Sequence, residues 1–129
     1  MKLVVTYCSG PKRRDPGGLP AVERYESERI RRLAGEHGAF FFILSGEFAL
    51  LAADEYIPWY DHLLQADEVQ ELAITVADQL LEYEPSEVEY HTADPEKYPQ
   101  VAPYHRVIST ACRFAGVPLE IVILDGNPD

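Results

Sequence analysis

Cys8, Ser9, Gly10 and Lys12 fall within five residues, separated by two residues from the apolar run Leu3-Val4-Val5. Their types suit the capture of an anion. A Ser-Gly step offers backbone N–H groups with no side chain in the way, and Lys12, Arg13 and Arg14 add positive charge beside it. Cys8 is a nucleophile only if neighbouring positive charge or a helix N-terminus lowers its pKa, and a small core residue otherwise. A second small-residue step, Ser45-Gly46, follows another apolar run, Phe40–Leu44. Glu47 and Asp61 are the nearest carboxylates able to support a cation-like transition state. Tyr25 and Tyr60 are candidates to stack on or hydrogen-bond a planar ligand. His62, His91 and His105 lack the close spacing of a metal site, so no metal is expected. No Walker lysine loop and no Gly-x-Gly-x-x-Gly occurs, and no cofactor is called for.

Charge sharpens the contrast. The chain of 129 residues carries a net charge of −11. Residues 1–32 hold eight of the eleven Lys and Arg residues with four acids, while residues 33–129 hold three with eighteen acids. An acidic body disfavours direct nucleic-acid binding and leaves it to the basic loop alone. Arg29 to Arg32 read as a solvated helix face, with Glu28 pairing to Arg32. Two cysteines make no disulfide framework, no apolar run reaches membrane-spanning length, and no signal-peptide pattern is present, so the expectation is a cytoplasmic protein.

The elements that must position these residues alternate. Lys2–Tyr7 reads as a strand, Ala21–His37 as a helix with Val22, Ile30, Leu33 and Ala34 inward, and Phe40–Leu44 as a strand buried on both faces. A short helical stretch is expected around Phe48–Ala52. Val69, Leu72, Ala73, Val76, Ala77 and Leu80 repeat at helical spacing, with Asp67 and Gln70 resembling a capping box. Val88, Tyr90 and Thr92 alternate in a short strand near an edge. Pro103 opens a third helix, Gly116 ends it, and Leu119–Leu124 is the fourth strand. The expectation is one α/β domain over residues 1–124, a three-layer α/β/α sandwich with a four-stranded, mainly parallel sheet in order 2-1-3-4. A loose tail over residues 125–129 follows. Ligands of such sheets bind beyond the carboxyl ends of the strands.

The motifs also resemble a group of small bacterial, archaeal and phage domains of unknown function, distantly similar to the YaaA-type peroxide-stress proteins. Cys8-Ser9-Gly10-Pro11-Lys12 matches their Cys-Ser-x-x-Lys. Arg24-Tyr25 matches their Leu-Tyr with the leucine replaced, the run from Leu44 to Leu51 matches Leu-Ser-Ala/Gly-x-x-Gly-Leu-Leu, and Pro58-Trp59-Tyr60 matches Pro-x-Tyr. Ala49 stands where those domains carry glycine. The resemblance covers the first half of the chain. It implies a site built from the loops after strands one and two, in a nucleic-acid-related context.

Two functional readings follow. In one, a small anionic ligand such as a nucleotide or sugar phosphate binds: Lys12 holds the phosphate, Gly10 and Gly46 contact its oxygens, and Glu47 or Asp61 assists cleavage of a base–sugar bond. In the other, the domain has no catalysis and its acidic surface meets a protein partner.

Overall fold

A computed structural model describes residues 1–129. The element order is β1 (Lys2–Tyr7), β2 (Leu19–Pro20), α1 (Ala21–Arg24), α2 (Glu28–His37), β3 (Phe41–Ser45), β4 (Ala49–Ala52) and β5 (Tyr56–Ile57). It continues with α3 (Val69–Tyr83), β6 (Glu87–Thr92), α4 (Ala102–Ala115) and β7 (Leu119–Ile123). The main sheet has five strands in the order β4-β3-β1-β6-β7, parallel except for β4. The four expected strands stand in the expected order. The correction is a fifth, antiparallel strand on the β3 edge, where a helical stretch had been expected. Ser45 explains the difference: its Oγ accepts the N–H groups of Glu47 and Phe48 at 3.1 and 3.0 Å, closing a tight turn that sends the chain back along β3. Leu19–Pro20 and Tyr56–Ile57 form a separate two-stranded ribbon.

Strand alternation identifies the two faces. Thr6 is in register with His91, and Val5 with Tyr90. Arg29 of α2 bonds Thr6, and His37 of α2 lies 6.3 Å from the His91 ring, so α2 covers that face. Tyr90 stacks on His105 of α4, with ring planes 5° apart, so α4 covers the other, and α3 packs on α4. β3 is buried throughout, as its unbroken apolar run requires. β6 sits one strand in from the β7 edge, and its alternation reflects a sheet face that α2 leaves half open. β7 is the edge itself, and none of its residues is fully buried.

The expected helix over Ala21–His37 is broken. Tyr25 and Ser27 are extended, and Ser27 caps α2 by accepting the Ile30 N–H at 3.2 Å. The capping box before α3 uses Gln65 and Glu68, two residues earlier than expected. Ala49, at the position of the resembling domains' glycine, has φ 61°. A left-handed alanine costs about 1–2 kcal/mol, which glycine would avoid. Residues 125–129 form no helix or strand and lie against the carboxyl rim of the sheet. No helix is long and apolar enough to cross a membrane.

Glu84 ends α3 with φ 50° and ψ 51°, its N–H bonded to the Leu80 carbonyl. It is an acid at the negative end of the helix dipole, in a conformation glycine prefers. Glu84→Gly is therefore expected to stabilise the fold by about 1 kcal/mol, read as a higher urea midpoint at unchanged slope.

Candidate functional site

Three residues after β1 the chain must leave the sheet, and two arginines fix its path. Arg24 is fully buried. Its Nη1 donates to the carbonyls of Arg13 and Asp15 at 2.7 and 3.0 Å, and its Nη2 to that of Gly17 at 2.6 Å. Nε and Nη2 both reach the Ile57 carbonyl at 3.4 Å. Arg29, 8% exposed, donates from Nη1 to Thr6 Oγ1 at 2.6 Å and to the Tyr7 carbonyl at 2.7 Å, with its guanidinium 3.7 Å over the Tyr7 ring. Burial holds its pKa below the usual value. Arg29 was expected on a solvated face; it lies inward because, with Ser27 as cap, it shares the α2 stripe of Leu33. Arg32, by contrast, is exposed and pairs with Glu36 rather than Glu28.

The loop that results carries Lys12 over the aromatic floor. Lys12 Nζ lies 4.5 Å from the Tyr60 ring centroid and donates to the Gly10 carbonyl at 3.2 Å. It makes no ion pair, and burial lowers its pKa against smaller opposing effects of Cys8 and Asp61. Below it, the hydroxyls of Tyr25 and Tyr60 are 2.6 Å apart, and Tyr60 is 3.0 Å from Ser45 Oγ. Because Ser45 Oγ already accepts two N–H groups, its own proton points to Tyr60. Desolvation pushes both tyrosine pKa values up, so the chain stays neutral.

A cavity of about 210 Å³ opens beside Lys12. Cys8, Ser9, Gly10 and Asp61 line it, with Gln100 from the turn before α4 and Tyr104 from its first turn. It lies between the ends of β1 and β6, where strand order reverses: the chain passes from β1 to β3 on one side, and β6 lies on the other. The N-terminal turn of α4 contributes its positive dipole end. Cys8 is buried and its thiol free, and burial pushes the Cys112 thiol, also free, up to about 11.

The candidate residues therefore separate. Cys8, Ser9, Gly10, Lys12 and Asp61 share this cavity, and Tyr60 borders an adjoining one with Gly10, Lys12 and Asp61. Ser9 Oγ is spent on the Pro11 carbonyl at 2.8 Å. Tyr25 and Ser45 are fully buried behind Tyr60 and line none of these cavities. Gly46 and Glu47 turn to a different cavity, under the β3–β4 hairpin. A Cβ at Gly46 would stand 3.2 Å from Leu64 Cβ and 3.3 Å from the Tyr104 hydroxyl, so this glycine serves close packing rather than an oxyanion. The partner segments are thus the connection after β5, with Asp61, His62 and Leu63, and the connection after β6, with Gln100 and Val101, rather than Ser45-Gly46.

Glu47 is held by His62, whose Nδ1 meets it at 2.5 Å while Nε2 meets Glu68 at 2.8 Å. These bonds pin the hairpin to the segment bearing Tyr60 and Asp61. Sequence reasoning missed Arg24, Arg29, Tyr104 and this clamp. The signal for Arg24 was its place with Ala21 and Tyr25 on one inward stripe.

Arg24→Leu leaves buried carbonyls without a donor, and is expected to cost about 3 kcal/mol of stability by urea unfolding, with faster amide exchange across residues 13–18. Glu68 first, then Glu47, raises the His62 pKa above 6.5. A raised folded-state value means the stabilisation is complete below pH 6.5 and fades as pH rises through the folded-state pKa. Urea midpoints of the wild type relative to His62→Gln should accordingly converge over that window; a difference constant with pH would contradict the clamp. Comparison of the chain with protein-family models, with curated proteins and with solved structures finds no match.

Proposed function

We propose that the chain is a small-ligand-binding domain of the nucleotide or nucleobase class, with its ligand in the crevice between β1 and β6. One observation carries the reading. Lys12 is a half-buried ammonium without a carboxylate partner, at the mouth of a cavity that occupies the strand-reversal point. Lys12 takes the anionic group, and the N-terminal end of α4 adds to the attraction. Asp61 stands on the same cavity, where it receives a sugar hydroxyl or steadies cationic character at a base–sugar bond. Glu47 has no part in this, because His62 occupies it. Tyr60 supplies packing beneath Lys12.

A protein-interaction domain is the second reading. Ile74 and Leu81 on α3 and Phe114 on α4 are each about half exposed, at 49, 57 and 48%. An apolar surface among acidic residues suits a basic partner.

A thermal-shift screen of nucleotides, nucleosides and sugar phosphates separates the two. A ligand at a hundredfold its Kd stabilises the fold by about 2.7 kcal/mol. Lys12→Ala is expected to weaken the best ligand by about 1–3 kcal/mol while leaving the unliganded melting temperature nearly unchanged. No stabilisation by any member of the panel would favour the interaction domain.

A further inference from the structure

The crevice beyond β1 is occupied by the protein itself. The Tyr7 hydroxyl donates to the Pro128 carbonyl, and Arg29 Nη2 reaches the same oxygen at 3.4 Å. Ser27 Oγ donates to the Asp129 carbonyl at 2.6 Å. Three donors from β1, the cap of α2 and its first turn thus converge on acceptor oxygens of one short segment. Ser27 Oγ already accepts the Ile30 N–H, so its proton is committed outward.

The same segment divides the space. The 210 Å³ cavity beside Lys12 and a second of about 400 Å³ beside Arg29 and Arg32 are both lined by Tyr7 and Asp129. One polar atom buried beside the second cavity, Arg29 Nε, has no hydrogen-bond partner. Buried groups of this kind are rarely left alone. The segment also sets the sign of the second cavity. Asp125 and Asp129 belong to it; without them Arg29 and Arg32 face only Glu28.

We propose that Tyr7, Ser27 and Arg29 form a phosphate subsite, and that residues 125–129 are an internal stand-in which a phosphate group displaces. A guanidinium, a hydroxyl and the N-terminal end of a ten-residue helix are the donor set a phosphate takes. Displacement joins the two cavities, so a ligand anchored here extends past Lys12. The inference rests on reading the β1–β6 crevice as the ligand cleft. Because the subsite is free only while the segment is away, the apparent Kd exceeds the intrinsic one by the inverse of the open fraction.

Calorimetric titration with inorganic phosphate tests this. A chain ending at Leu124 is expected to bind phosphate at least about tenfold more tightly than the full chain, and Ser27→Ala or Tyr7→Phe in that shorter chain to lose several-fold. Equal affinities would overturn the proposal. Should the shorter chain not fold, the full chain decides. At saturating phosphate the amide resonances of Gly126, Asn127 and Asp129 should move to random-coil positions, and unmoved resonances would overturn the proposal. A nucleotide that stabilises the wild type but not Lys12→Ala, with no phosphate effect in either chain, would sink this subsite and leave the function proposed above standing.

Discussion

Two buried guanidinium groups that no carboxylate neutralises organise the carboxyl rim. Arg24 and Arg29 donate to main-chain carbonyls and a hydroxyl, whereas the arginines that pair with carboxylates, Arg13 with Asp15 and Arg32 with Glu36, lie at the surface. A buried cation is costly unless its donors find acceptors. The Nη donors therefore demand oxygens at fixed places, and the loop over Arg13–Gly17 and the end of β1 take the shapes that provide them, with only Arg29 Nε left without a partner. The positive charge after β1 has two separate jobs as a result. Arg24 builds the loop from beneath, and Lys12 is presented by it.

The second constraint is strand order. A parallel sheet that grows from β1 in both directions opens a crevice where the loops part, and here they part between β1 and β6. The β3 end cannot share that crevice, because Ser45 turns the chain into β4 at once. His62 then bridges the hairpin to the strap that carries Asp61. The site is thus a product of one open junction and one closed one.

Much of this was legible in the sequence. Leu3–Tyr7, Phe40–Leu44 and the helical repeat from Val69 to Leu80 announced buried strands and a helix, because their apolar periods admit few alternatives, although Phe40 itself lies before β3 and is exposed. The Cys8–Lys12 stretch marked the loop that lines the cavity. Phe48–Ala52 misled because five apolar residues fit strand or helix equally, and the hydrogen bonds to Ser45 Oγ decided between them. Ser45 and Gly46 looked like ligand groups because small or polar residues at a strand end do, and Tyr25 because an aromatic ring can stack on a planar ligand. Which of them face a cavity depends on contacts with Leu64, Tyr104 and Tyr60, far along the chain. Arg24 and Arg29 were hidden for the converse reason: charged residues read as surface until the carbonyls they serve are known.

The free edge at β7 has a consequence for how copies of the chain coexist. Its run Leu119-Glu120-Ile121-Val122-Ile123 presents unpaired backbone groups and holds no lysine or proline to blunt them. What keeps such edges apart is the long-range repulsion of a body at −11. That protection is collective and screened by salt, with a reach of roughly 10 Å at 0.1 M. Colloidal behaviour and the charge at the candidate site are thereby linked. The acids that crowd residues 33–129 hold molecules apart, and against that same field Lys12 must hold its charge.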